Sequence, residues 1–209
     1  MFIPRHPVVE NQFCSFTAAS GTAGTGGVLA YAGAVCYLDE SATNQEAEVT
    51  VYMVNAPTDA DERVPFGFLM QKVKEGYFAV HPTGFMMPGD LGSSDVIAQP
   101  RYDSSGAIVG TKSAPIGVAH LGIWDTVHYT SVADTALNPG QVLYVAYGAT
   151  AANYSRVTNS TTVGTATGNK LSTGVATVVA RVVKGASAAK ATANKANTTL
   201  YPIRIKLLI

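Results

Sequence analysis

The chain has 209 residues, with 14 basic and 14 acidic side chains and no net charge. Only 13% of residues are charged and 47% are hydrophobic, which excludes a disordered chain. Roughly 45% of the residues are Ala, Val, Thr or Gly, a small and β-branched bias that favours sheet and excludes coiled coils and long helical bundles. The apolar runs fall far short of a membrane span, so no integral membrane protein is expected.

The chain opens Met1-Phe2-Ile3-Pro4-Arg5-His6-Pro7. Two prolines and a histidine interrupt any apolar stretch, so no cleavable signal is read and synthesis in a cytoplasm is expected. Residues 1–45 are predicted as an extended N-terminal arm with a Gly-rich hinge. Pro4 and Pro7 favour extended backbone, and Ala18 to Gly27 is small and flexible. Phe2, Ile3, Phe13 and Phe16 are too apolar to remain solvated. With Pro4 and Arg5 they form the candidate interface. Such an arm lies on its own body or on a neighbouring subunit, and the sequence leaves both open.

Residues 46–209 are predicted as one β domain, with an acidic part (46–134) and a basic, barrel-like part (135–209). Glu48–Val54 reads as a strand stopped by Asn55-Ala56-Pro57-Thr58-Asp59. Phe66–Val73 is a second apolar run, and Tyr77–Val80 a short one. Met87-Pro88-Gly89-Asp90 is a turn. The glycines and prolines between 91 and 117 predict short strands and loops. Val118–Tyr129 reads as a strand with bulges and holds the single Trp124. Asn138-Pro139-Gly140 is a turn leading into the strand Gln141–Tyr147. Tyr154–Thr158 and Gly174–Val183 follow as strands around a turn-rich gap at 165–169. Ala186–Asn197, rich in Ala, Lys and Asn, reads as one short helix or an exposed loop, with the loop preferred. In the last segment Ile203, Ile205 and Leu207 share one face of a strand, with Arg204 and Lys206 on the other. The expected fold is all-β: a barrel or sandwich of short antiparallel strands.

Chemistry is sparse. His120, Asp125 and His128 are the nearest approach to a metal triad, and strand alternation sets Asp125 apart from the two histidines. No Gly-x-Ser-x-Gly elbow surrounds a serine, and Ser93-Ser94-Asp95 lacks a defined base. The Gly21–Gly27 stretch lacks the Lys of a phosphate loop. Asp59, Asp61 and Glu62 lack calcium-loop spacing. Cys14 and Cys36 read as buried free thiols. No catalytic residue, metal ligand or cofactor is assigned. Ten tyrosines leave a sugar-binding face open without marking one.

Charge is uneven along the chain. The first 134 residues hold all 14 acidic side chains and 6 basic ones, whereas residues 135–209 hold 8 basic ones alone. Opposed blocks of charge suit a protein docking surface. These basics are spread singly and lack interleaved aromatics, so nucleic acid is not the expected partner.

The run Asn138-Pro139-Gly140-Gln141-Val142-Leu143-Tyr144-Val145, the strand Tyr154–Thr158, the segment Thr173–Ala180 and the closing Ile203-Arg204-Ile205-Lys206-Leu207 together resemble the β-barrel capsid decoration (cement) proteins of tailed bacteriophages. The resemblance covers residues 137–209. It implies a non-enzymatic virion protein on the capsid exterior, made in the host cytoplasm. Such a protein binds the major capsid protein, bridges its subunits and assembles as a homotrimer. A tail or connector component, or a carbohydrate-binding receptor module, is the alternative.

Overall fold

The computed structural model describes residues 2–5, 10–19, 27–39, 47–51, 64–75, 95–131, 135–146, 155–160, 177–196 and 198–209. Strands hold 59% of them, joined by one short helix. In chain order the strands are β1 (Phe2–Pro4), β2 (Glu10–Ala19), β3 (Val28–Ala30), β4 (Val35–Leu38), β5 (Glu48–Val51), β6 (Gly67–Leu69), β7 (Lys72–Glu75) and β8 (Asp95–Tyr102). They continue with β9 (Ile108–Leu121), β10 (Ile123–Thr126), β11 (Tyr129–Thr130), β12 (Val142–Ala146), β13 (Arg156–Thr158) and β14 (Ala180–Lys184). Helix α1 (Ala188–Lys195) and β15 (Ile203–Leu207) complete the chain.

The strands form two sheets. The first runs β2-β5-β4-β6-β9-β8-β7-β3, and β2 also pairs with β9. Strands β2, β5, β4, β6 and β9 therefore close a five-strand barrel, from which β8, β7 and β3 extend. The second sheet runs β1-β10-β15-β14-β12-β13-β11.

Period-two alternation supplies two cores from the same strands. Cys36, Leu69 and Val118 point into the barrel with Cys14, Phe16, Val49, Val51 and Ile116. Their neighbours Val35, Tyr37, Phe68 and Ala119 point outward and pack on Phe2, Trp124, Leu143, Ile203, Ile205 and Leu207 of the second sheet. Strand β4 is thus buried on both faces, which explains its unbroken apolar run Val35-Cys36-Tyr37.

Several expectations change. Residues 91–117 are not all short strands and loops: β8 and the long β9 occupy most of the described part, and β9 passes through Pro115 and Gly117. Pro115 pairs with Ser15 beside a register shift in β2–β9. It also lies beyond the last β8 partner, Ser113, and before the first β6 partner, Val118. The ladder is already interrupted there, so a missing N–H is tolerated. Of the helix and loop left open for 186–197, the helix holds over Ala188–Lys195 and not the preferred loop; it buries Ala191 and Asn194 three residues apart on one face. Of the two resting places left open for the N-terminal segment, its described residues take the chain's own body, with β1 on β10 and β2 on β9 and β5. The strand read at 77–80, the turns at 87–90 and 165–169, most of the Gly-rich hinge, and Asp59, Asp61, Glu62, Ser93 and Ser94 lie outside the described residues.

Both edges of the second sheet are blunted. Arg5 N–H donates to the Ile123 carbonyl at 2.7 Å, so the alternation turns the backbone of Pro4 outward, where it has no N–H to offer. At the far edge the Asn194 amide donates to the carbonyls of Val127 and Tyr129, each at 3.0 Å.

Candidate functional site

The candidate interface residues separate into three environments. Phe2 is buried, stacked on Trp124 at 4.4 Å and on Phe68 at 5.8 Å. Phe16 is wholly buried inside the barrel. Ile3, Pro4 and Arg5 are exposed at the border of the second sheet. Phe13 is 73% exposed on the barrel, in register with Gly117. The strand period explains the split: Phe13 and Phe16 are three residues apart and so point to opposite faces of β2. The six residues therefore do not form one surface.

Strand pairing builds a different surface, which the linear sequence conceals. On β15 the core residues Ile203, Ile205 and Leu207 alternate with Arg204 and Lys206 on the outer face. On β14, Arg181, Val183 and Lys184 are exposed. The register sets Lys206 opposite Arg181, and Lys184 opposite Arg204 beside a bulge. Two successive cross-strand pairs are therefore basic on basic, with Cβ atoms about 5 Å apart. Like charges directly opposite each other destabilise a sheet. One row reads Ile123, Lys206, Arg181, Val142 across four strands, and the next reads Ile3, Asp125, Arg204, Lys184. The basics looked dispersed because the paired residues are twenty or more positions apart.

Among the described residues one carboxylate lies beside these cations. Asp125 accepts from Arg204 Nε at 2.8 Å and from Arg5 Nε at 2.6 Å. The Arg204 guanidinium, joined by Arg5, holds the Asp125 carboxyl below the usual carboxylate range, against partial burial that acts the other way. Arg181 donates to the Gly140 carbonyl at 3.1 Å. Lys184 and Lys206 have no ion-pair partner among the described residues. A depressed folded-state pKa gives stability that is present above the unfolded carboxyl value and lost as pH falls through the folded one. The unfolding midpoint is therefore expected to fall below about pH 4. In Asp125→Asn the contribution is already absent at neutral pH, and the acid-dependent loss shrinks. Urea melts across pH 2–7 check this; identical pH profiles for the two proteins would refute it.

The basic side chains of the barrel layer differ. Glu48 is buried and engages Lys112 at 2.5 Å, with Arg101 at 3.9 Å. Asp95 is buried between Lys72 at 3.0 Å and Lys74 at 2.6 Å. These three lysines and one arginine neutralise buried carboxylates, whereas Lys184 and Lys206 on the outer face of the second sheet have no acidic partner among the described residues.

The other sequence candidates do not assemble. His128 is buried and stacked with Tyr31, whereas His120 meets Phe66 edge-on. Asp125 is engaged by the two arginines. Among the described residues no group of three His, Cys, Asp or Glu side chains converges to hold a metal. Cys14 and Cys36 are free and buried in the barrel, and burial pushes both thiols up. No helix of the described residues is long and apolar enough to cross a membrane.

No protein-family model matches this chain, and no curated protein matches its sequence.

Proposed function

We propose that this chain is a non-enzymatic structural protein of a virion: a capsid decoration protein that binds the outside of a phage shell and bridges neighbouring major capsid subunits. The observation that carries the reading is the outer face of the second sheet. Two basic pairs sit opposite one another there at a cost to the fold. A face maintained against the stability of its own sheet suits a binding surface. The resemblance of residues 137–209 to decoration proteins supplies the kind of partner, since β12, β14 and β15 of that segment contribute to the face. Many modest contacts repeated around a shell give retention without any single tight site.

The test is co-sedimentation of the purified protein with expanded, empty capsids of its source phage, with light scattering of the free protein alongside. Saturable binding at a fixed ratio to the major capsid protein, by a trimer, is expected. Protein that stays in the supernatant with intact shells would overturn the reading.

A further inference from the structure

We infer that the face formed by Arg181, Lys184, Arg204 and Lys206 receives an acidic protein surface whose carboxylates are flanked by apolar side chains. This deepens, and rests on, the proposal of a shell-binding protein.

Charge states the first requirement. Four cations converge by register, and the single carboxylate at the border among the described residues, Asp125, serves Arg204 and Arg5. Lys206 and Lys184 remain for an anionic partner. The second requirement comes from what borders the cations. The row through Lys206 and Arg181 ends in half-buried Ile123 and Val142. Val183 is 43% exposed between Val182 and Lys184, and Ile3 is 36% exposed beside Asp125. A phosphate backbone would use the cations and gain nothing from these aliphatic groups. A single-stranded nucleic acid would also want exposed aromatic platforms. Tyr144, on the same side of β12, is half-buried. A protein surface with acids between small apolar residues satisfies both features, as interface centres and rims commonly do.

The cross-strand repulsion provides the test. Lys206→Glu places an acid opposite Arg181 and replaces a like pair with an opposite one. Its unfolding midpoint in urea is expected to rise above that of the wild type. Binding should move the other way. The probe is a fluorescein-labelled peptide of Glu-Val-Ser repeats, followed by anisotropy. A Glu-Ser-Ser peptide and an oligothymidylate of equal charge serve as comparators. The wild type should bind the Glu-Val-Ser peptide best, and less well as salt rises. Lys184→Glu combined with Lys206→Glu should weaken that binding about tenfold or more. Tighter binding of the oligothymidylate, equal binding of the Glu-Ser-Ser peptide, or an unaffected double variant would each overturn the inference. Shell co-sedimentation of the double variant separates this from the broader reading. If it sediments as the wild type does, the inference falls and the structural role stands. If the wild type binds the peptide but no shell, the structural role falls and the acidic partner stands.

Discussion

Trp124→Ala is expected to destabilise the chain by about 3–5 kcal/mol, the usual range for removing a large buried aromatic. Trp124 is fully buried on the inner face of β10, between Pro4 of β1 and Ile205 of β15. Three losses coincide in the variant. The indole volume becomes a cavity in the core between the sheets. Phe2 loses the ring on which it stacks at 4.4 Å, and with it the main anchor of β1. The Leu121 carbonyl loses the indole N–H that reaches it at 3.1 Å. Trp124→Phe separates these effects: it keeps a ring under Phe2 and drops the hydrogen bond, at about 1–2 kcal/mol. Because Trp124 is the only tryptophan, unfolding is followed by circular dichroism rather than intrinsic fluorescence. A loss below about 1 kcal/mol for the alanine variant would show that β1 and β10 are not held by this stack.

Gly185→Ala is expected to cost about 3 kcal/mol or more, since an added Cβ there makes the closest approach found among the described glycines. A Cβ at Gly185 runs into the carbonyl of Leu137, and backbone cannot swing aside as a side chain can. That carbonyl accepts the N–H of Ala186 at 3.1 Å, while Leu137 N–H donates to Ala186 at 2.9 Å. The methyl group therefore pries apart the bridge joining the end of β14 to the turn before β12, and lifts Leu137 from the core. Gly140→Ala is the matched comparison. Its backbone is left-handed, φ +87°, with open space around it, so only the conformational term of about 1–2 kcal/mol applies. Denaturant melts that rank Gly140→Ala as the more damaging change would contradict the steric account.

What the sequence disclosed, and what it withheld, follows from the range of the interactions. β15 was legible because Ile203, Ile205 and Leu207 alternate with Arg204 and Lys206 within five residues. β12 was legible because Asn138-Pro139-Gly140 announces it. β9 was hidden because Pro115 and Gly117 read as breakers. Only the partners on either side, with Met70 over Gly117, reveal why both are tolerated. Helix α1 was an open alternative and not the preferred one because it buries only Ala191 and Asn194, too little to set an apolar period. The basic face was invisible for the same reason as β9. Lys206 and Arg181 become neighbours only when β14 and β15 pair, and no local pattern encodes that pairing. Phe2, read as an anchor, needed Trp124 to show where its ring goes.

The two sheets also differ in how much of the chain each must wait for. Every strand of the barrel lies between Glu10 and Leu121, so the ring can close while the remainder is still being synthesised. The second sheet places β1, which precedes every barrel strand in the chain, and β15, which follows them all, on either side of β10. Val35, Tyr37 and Phe68 consequently stay partly uncovered on a finished barrel until Ile203, Ile205 and Leu207 arrive. On a ribosome adding about 5–20 residues per second, that interval lasts several seconds. Nascent chains of this protein thus expose an aromatic face until β15 is made, and truncation before residue 203 would make that exposure permanent.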